Sequence, residues 1–267
     1  MRRLNIATAA VLAAAVALAV APSRSSAISV SPSRALIGPG EAQSFLVGTD
    51  LDQRTEVSAR LADFVPSATG SVRIDPPRRP ARSATGWLSL SESRLVIDGG
   101  SSGTVGVQAR NPGIVAPGDY YSLLLLSMRA PSRGPVPLTL TVGAPIIVRV
   151  PGELRRSASV GRLRLKRSGT RRVFRLPISN RGNINEELRR GYVRIDLRRG
   201  RTVVGRLAAS PRNILPGVTG VIAIPYRGGL RGRVEATATV RFASRALAGP
   251  GTGPPPRTAV RRATVRL

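Results

Sequence analysis

The chain has 267 residues and a formal net charge of +28 at pH 7, and it contains neither cysteine nor histidine. The absence of both residue types excludes disulfides, Ser-His-Asp or thiolate catalysis, and zinc sites built from cysteine or histidine. Hydrophobic residues make up 42% of the sequence, which is typical of a folded protein rather than a disordered one. We therefore expect a globular protein with no cofactor, no metal site and no catalytic residue.

The N-terminus has the pattern of an export signal. Arg2 and Arg3 precede an uncharged, apolar run over 6–21, and small residues lead up to Ala27. A basic start, an apolar stretch and small residues before the cut predict a signal peptide over 1–27. A retained membrane anchor is the alternative. Either way, we expect a secreted or otherwise extracytoplasmic protein associated with the cell envelope.

The excess positive charge lies almost entirely in the second half of the chain. Residues 28–150 contain 12 basic and 9 acidic residues, whereas 151–267 contain 27 and 5. All the basic residues except Lys166 are arginine. Such a surface attracts polyanions over about one Debye length, so it favours an anionic partner. A GC-rich genome, which favours arginine codons, is the alternative explanation.

The first element after the predicted signal is a β-strand, and strands follow one another to the C-terminus. Short runs rich in valine, leucine, isoleucine and threonine alternate with clusters of glycine, proline, aspartate and serine, which is the signature of strands and turns. The predicted strands of the first half lie near 28–32, 43–48, 55–62, 86–90, 93–97, 103–109, 120–128 and 137–149. This number of short strands predicts a β-sandwich.

The second half repeats this pattern. Its predicted strands lie near 162–166, 171–178, 191–197, 201–208, 219–225, 232–242 and 258–266, with a loop or hinge over 248–256. A boundary at Pro151-Gly152 divides the mature chain into sandwiches of 28–150 and 151–267. We expect Trp87 and Tyr120 in the core of the first sandwich and Phe174 in the core of the second.

The segment 162–175 is the candidate binding site. Alternation directs Leu163 and Leu165 to the core and Arg162, Arg164 and Lys166 to solvent. The candidate polyanion-binding residues are Arg162, Arg164, Lys166, Arg167, Arg171, Arg172 and Arg175. The alternative is an ordinary solvated sheet face.

Aromatic residues are only 3% of the chain, which argues against base stacking and hence against a specific nucleic-acid partner. Paired carboxylates remain as possible hydrolytic groups, with Asp63 and Asp75 or Asp50 and Asp52 as the pairs. Aspartates at such positions are usually ordinary residues of loops and turns, so we do not expect an enzyme.

Several turns and strands together resemble a known family. The order runs from Ile28–Pro32 with Gly38–Glu41, through Leu61–Phe64 and Ala84–Leu90, to Pro117–Leu123; the second half adds Asn180–Asn183 and Leu215–Gly217. This order resembles bacterial surface proteins of the WxL-interacting type and, more distantly, periplasmic pilus chaperones. The resemblance implies an all-β protein with two tandem immunoglobulin-like β-sandwich domains. It also implies binding to peptidoglycan or to a surface protein. Pilus chaperones hold a carboxylate with a basic pair between their domains, but no residue of this chain is assigned to such a pair.

Two functions follow as hypotheses. The first is an envelope-associated binding protein whose second half contacts a cell-wall polymer, a surface protein or an anionic membrane surface. The second is an assembly chaperone that adds a strand of a partner to a sheet edge. The apolar strand Tyr120–Met128 is the expected edge, although a central buried strand has the same composition.

Overall fold

The computed structural model describes residues 28–130, 138–242 and 256–267. The predicted signal peptide (1–27) and most of the predicted hinge (248–255) lie outside the described residues. The protein is all-β, with two tandem immunoglobulin-like sandwiches and a single 3₁₀ turn at Thr85–Trp87 in the described part. That part contains no helix with the length and apolarity that a membrane span needs.

The first half forms two facing sheets and a small hairpin. One sheet has the strand order β1-β3-β9-β7, the other has β2-β11-β10-β4-β8, and β5 pairs with β6. Their bounds are β1 (Ile28–Ser31), β2 (Ala35–Ile37), β3 (Ala42–Thr49), β4 (Thr55–Ala62), β5 (Phe64–Pro66), β6 (Val72–Ile74), β7 (Leu88–Leu90), β8 (Arg94–Ile97), β9 (Ser102–Ala109), β10 (Gly118–Ala130) and β11 (Leu138–Val150).

Alternation along these strands builds the first core. In β9, Val105, Val107 and Ala109 are buried while the residues between them are not. In β3, Phe45 and Val47 are fully buried opposite β9. Because side chains of a strand point alternately to its two faces, one face of each strand joins the core and the other meets solvent.

The second half is built in the same way around its own core. In its first sheet, the central strand β14 pairs with β12 and β13 on one side and with β19 on the other. The second sheet has the strand order β17-β16-β20-β21, and β15 and β18 form a separate pair. The bounds are β12 (Ala158–Val160), β13 (Arg164–Ser168), β14 (Arg171–Asn180), β15 (Glu186–Leu188), β16 (Val193–Arg199), β17 (Thr202–Ala208), β18 (Arg212–Ile214), β19 (Thr219–Tyr226), β20 (Arg233–Phe242) and β21 (Arg257–Arg266).

Two separate hydrophobic clusters lie on either side of the segment 151–157. One draws on residues from Ile28 to Val150 and the other on residues from Ala158 to Leu267. Whether each half folds alone within the predicted limits of 28–150 and 151–267 stays a prediction.

The expectation that Tyr120–Met128 is a sheet edge is wrong. This segment belongs to β10, which pairs with β11 on one side and with β4 on the other. Its continuous apolar run has a physical reason, because both faces are covered. Leu124 and Leu126 enter the first core, whereas Leu123 and Leu125 join a third cluster with residues of the second half.

The predicted core aromatics lie at different depths. Phe174 is fully buried in the second core, and Tyr120 is 8% exposed in the first. Trp87 ends the 3₁₀ turn instead of lying on a strand, and it is only partly buried against the first core. Its ring lies 4.5 Å from that of Tyr120, centroid to centroid. Trp87 therefore covers the rim of the core rather than filling its centre.

Candidate functional site

The free sheet edge of the first half belongs to β11. All of β11 pairs with β10, but on its other side only Ile146–Val148 pair, with β2. Residues 138–145 thus have no strand partner on that side among the described residues. Every second residue of such an edge presents an unpaired N–H and C=O, which is a template for pairing with another chain.

Apolar side chains line this edge at every second position. Leu138 is 54% exposed, and Leu140 and Val142 are partly buried against the first core. The three share one face, since side chains two residues apart point the same way. No residue of 138–145 is charged. The edge therefore combines free backbone groups with a partly exposed apolar row.

Two sheet edges of the second half are protected in different ways. The outer strand β21 has arginine at positions 257, 261, 262 and 266, and charged side chains discourage strand pairing. The edge strand β19 is covered differently, because the N–H of Val221 donates to the carbonyl of Ala68 at 2.6 Å. Arg212 adds hydrogen bonds to the carbonyls of Ser67 and Ala68 at 3.1 and 2.9 Å. Unlike these two edges, residues 138–145 of β11 carry no charge and have no strand partner on one side within the described parts of the chain.

The free edge runs into a cavity between the two halves. Pro145 and Ile147 of β11 line this cavity of about 180 Å³, together with Phe64, Tyr121, Leu215 and two arginines, Arg34 and Arg212. Proline has no N–H to donate, so Pro145 marks the end of the edge that can form a regular ladder. A strand added to the edge would therefore end beside this cavity.

The two arginines of this cavity are already engaged by the chain itself. Arg34 binds the carboxylate of Glu187 at 2.5 Å, and Arg212 donates to three backbone carbonyls, those of Ser67, Ala68 and Val221. Hydrogen bonds from Arg34 and Arg189 outweigh the effect of burial and lower the pKa of Glu187. The basic pair that the chaperone resemblance implies is thus not left open here as two unpaired cations.

A buried ion pair of the first half also contacts the second half. Asp119 is 1% exposed and accepts two hydrogen bonds from Arg149, at 2.7 and 2.9 Å. Its second oxygen also accepts from the backbone N–H of Asn185 in the second half, at 2.7 Å. Such bidentate, charge-assisted contacts are geometrically specific. They hold the free edge and the second half in a defined relation.

A second buried ion pair lies within the second half. Arg156 donates to Glu186 at 2.8 Å, and the two side chains are 4% and 1% exposed. Burial raises the pKa of Glu186 to about 7, although the charge of Arg156 opposes the shift. One carboxylate oxygen, Oε2, has no hydrogen-bond partner among the described residues. Glu186 is therefore a titrating group inside the fold.

The basic strip predicted over 162–175 is divided by the structure. Arg162, Arg164, Lys166 and Arg175 line one groove on the outer face of the sheet formed by β13, β14 and β19. Arg167 and Arg172 are paired across the strands on the opposite face, and Arg171 lies at the turn. Arg167 also donates to the carbonyl of Arg266. Four of the seven candidates thus share the groove, whereas Arg167, Arg171 and Arg172 lie outside it.

The candidate carboxylates Asp63 and Asp75 have separate partners. Asp63 accepts from the hydroxyls of Ser83 and Thr85, at 2.5 and 2.6 Å, while Asp75 binds Arg60 at 2.9 Å. No group of three metal-ligating residues converges in the described ranges. The carboxylate-hydrolase hypothesis gains no support from this arrangement.

Sequence reasoning did not recognise the free edge of β11. The signal is present in the sequence as the alternating, uncharged run Leu138–Pro145, but the same run is compatible with a paired strand. Only the pairing of β2, which stops at Ile146, leaves it open.

No protein-family model matches the chain, and no curated protein sequence matches it. Among solved structures, the chain is similar to the class 5 fimbriae chaperone CfaA, with a TM-score of 0.46 and 11% identity over 88% of this chain and 99% of that one. It is similar to the YadV chaperone, with a TM-score of 0.47 and 12% identity over 90% and 99% of the two chains.

A chain of the CsuC-CsuE chaperone-tip adhesion subunit pre-assembly complex from Acinetobacter baumannii gives a TM-score of 0.45 and 10% identity, covering 88% of this chain and 97% of that one. At these values the likeness is one of general architecture. None of the three is of the WxL-interacting type.

Proposed function

We propose that the protein is a non-catalytic assembly chaperone that holds a partner protein by β-strand addition at the free edge of β11. The observation that carries this proposal is the edge itself, residues 138–145, which is unpaired on one side within the described chain. Main-chain hydrogen bonds supply affinity in strand addition, and alternate side chains supply specificity. Because of the predicted export signal, we expect this activity outside the cytoplasm.

The apolar row of the edge defines the partner's chemistry. Leu138, Leu140 and Val142 face the same side, so they would contact an apolar surface that the partner exposes before it is assembled. An exposed apolar edge strand is an aggregation hazard unless something covers it. The contrast with the arginine-bearing β21 indicates that this edge is kept open for a partner.

The envelope-binding hypothesis ranks second. Its support is the charge of the second half, which says little about the first half. Peptidoglycan or a wall polymer would leave the β11 edge without a role. A surface protein remains compatible with both hypotheses, since a chaperone's partner can be such a protein.

Site-specific photocrosslinking in the native host tests the proposal. A photoreactive amino acid in place of Leu138 should crosslink to a partner protein, and mass spectrometry should map the adduct to a segment with alternating apolar residues. The matched control replaces Val96, which lies on β8 and is 52% exposed, close to Leu138 at 54%. We expect no such adduct from position 96.

A lysine substitution on the edge provides a second part of the test. Leu140→Lys should abolish the crosslink from position 138, because a charge on an edge strand prevents further pairing. Val96→Lys should leave that crosslink unchanged. Hydrogen exchange of the purified complex should show slower amide exchange within 138–145. Equal adducts from both positions, or unchanged exchange at the edge, would rule out strand addition here.

A further inference from the structure

Four basic side chains meet in one groove on the second half. Arg164 and Lys166 lie two residues apart on β13, so they share a face, and Arg175 of β14 is directly opposite Arg164. Arg162 continues the row just before β13. The groove has a volume of about 560 Å³, and Leu165, Pro177 and Val221 supply its apolar lining.

None of these four basic side chains forms an ion pair or a hydrogen bond with a described residue. The juxtaposition of Arg164 and Arg175 therefore costs free energy, since like charges directly opposite each other on a sheet destabilise it. A fold that retains this arrangement without an internal counter-ion is suited to an external anion.

The described acidic residues of the second half do not neutralise the groove. Of its five acidic residues, four are already in ion pairs elsewhere: Glu186 with Arg156, Glu187 with Arg34 and Arg189, Asp196 with Arg194 and Arg206, and Glu235 with Arg262. Only Glu153, an exposed residue before β12, is outside these pairs. None of the five acidic residues thus forms an ion pair with a cation of the groove within the described chain.

The shape of the groove favours a polymer over a bilayer. A flat lipid surface would touch the rim of a concave site and leave its apolar lining uncovered. Arg164 and Lys166 stand about 7 Å apart, as residues i and i+2 of a strand do. A linear chain with charges spaced by several backbone bonds could place successive anions on successive cations and lay its neutral links on Pro177 and Val221.

We propose that the groove formed by Arg162, Arg164, Lys166 and Arg175 binds a linear phosphodiester polymer laid along β13. Three of the four cations are arginine, whose planar fork binds phosphate oxygens in pairs. This site is separate from the β11 edge, so a wall or envelope polymer could be bound while a partner strand is held.

A short abasic oligodeoxynucleotide with a fluorescent label is the probe, because it offers phosphodiester charges without bases that could stack. Binding to the purified protein is measured over a salt series. Each phosphate neutralised on a single strand contributes about 0.7 to the slope of log K against log salt. Replacing all four cations with glutamine should therefore lower this slope by about 3 and weaken binding by at least tenfold at low salt.

The matched control removes the same charge elsewhere. Arg198, Arg201, Arg227 and Arg233 are exposed in the second half, outside the groove, and make no ion pair within the described residues. Their fourfold replacement with glutamine should leave most of the affinity and slope intact. Circular dichroism should show that both variants fold, as expected for exposed side chains. Arg175→Gln alone provides a milder variant with an expected intermediate loss.

Two further probes separate the sources of anionic charge. Poly-L-glutamate tests carboxylates, and vesicles containing phosphatidylglycerol test an anionic membrane. Groove-dependent binding that is strongest for the phosphodiester supports the proposal. Equal losses in the groove and control variants would show attraction by net charge alone and would overturn the proposed site. Groove-dependent binding to vesicles or polyglutamate that exceeds phosphodiester binding would overturn the assigned ligand class.

Discussion

At the scale of single residues, depth of burial separates two aromatic side chains that the sequence presents alike. Phe174 is fully buried and sits opposite Leu165 and Ile224 on the neighbouring strands. Trp87 lies at the rim, where it contacts Tyr120 and remains partly exposed. The free energy that each contributes to folding should follow this difference, because the cost of truncation grows with the cavity left behind.

We predict that Phe174→Ala lowers the free energy of unfolding by about 3–5 kcal/mol. Trp87→Ala should cost less than Phe174→Ala, since solvent already reaches part of the indole and the rim can close. Urea unfolding followed by circular dichroism measures both. A larger loss for Trp87→Ala would place the tryptophan in the centre of the core after all.

Glu186 links the stability of the fold to pH. Burial raises its folded-state pKa to about 7 from its ordinary value of 4.5, so between these values the native state binds more protons than the unfolded state. Stability therefore falls as pH rises through this range. Over the whole window the effect is on the order of 3 kcal/mol. The pKa of Glu187 is lowered instead, so its contribution to stability has the opposite sign and is lost as the pH falls.

We predict that the melting temperature decreases from pH 5 to pH 8 and that Glu186→Gln flattens this dependence. The amide keeps the shape of the side chain but has no proton to lose. Glu235→Gln is the control, because Glu235 is half-exposed and its pair with Arg262 spans 3.9 Å. If the pH dependence of Glu186→Gln matches that of the unchanged protein, another group must titrate.

At the scale of elements, the hairpin of β10 and β11 joins a central strand to an open one. β10 begins at Gly118, whose φ is +122°, a conformation that side chains rarely adopt. A Cβ at this position would overlap the carbonyl oxygen of Asn183. The start of β10 thus requires glycine both for its backbone and for its close approach to the second half.

We predict that Gly118→Ala destabilises the protein clearly more than Gly113→Ala. Gly113 also has a positive φ, +76°, but no atom lies within 4 Å of the point where its Cβ would be. The Gly113 variant should lose about 1–2 kcal/mol through backbone strain alone. Chemical unfolding of both variants isolates the steric part. Equal losses of unfolding free energy in the two variants would mean that the contact between Gly118 and Asn183 rearranges at no measurable cost.

Most strands could be predicted from the sequence, because alternation and turn residues are local signals. The predicted strand near 55–62 coincides with β4, and the one near 103–109 differs from β9 by one residue. Strands of three residues, such as β2 and β15, carry too few positions to show a period. Which strand forms an edge depends on pairing between distant segments, so the roles of β10 and β11 could not be read locally.

The candidate sites also combine features that local sequence patterns predict with features that they do not. The outward direction of Arg162, Arg164 and Lys166 follows from alternation and agrees with their exposure. Their convergence with Arg175 depends on the register between β13 and β14. That Arg167 and Arg172 lie on the other face follows from the same alternation along each strand. The contact of Asp119 with Asn185 joins residues 66 positions apart, and no local pattern announces it.

At the scale of the whole molecule, the two halves are joined by polar and apolar contacts. Asp119 connects Arg149 with the backbone of Asn185, and Leu215 belongs to one hydrophobic cluster with Phe64, Tyr121 and Leu123. The ion pair of Asp119 and Arg149 lies within the first half, so the hydrogen bond from Asn185 and the cluster that includes Leu215 are what couple the two halves. The junction should therefore make the two halves unfold together.

We predict that Asp119→Asn separates their unfolding. Trp87, the single tryptophan, reports on the first half by fluorescence, while circular dichroism reports on both. The two signals should coincide in the unchanged protein and diverge in the variant. Asp196→Asn is the control, since Asp196 pairs with Arg194 and Arg206 inside the second half. Coincident transitions in Asp119→Asn would show that other contacts suffice.

The covered edge of β19 has a consequence for the order of synthesis. The carbonyl of Ala68, in the loop between β5 and β6, receives the N–H of Val221. Residues near 68 precede residues near 221 along the chain, and domains generally fold from the N-terminus onward as the chain becomes available. We expect the loop that covers the edge of β19 to form before β19 does. The second half would then be shielded from pairing with neighbouring chains by the half that precedes it.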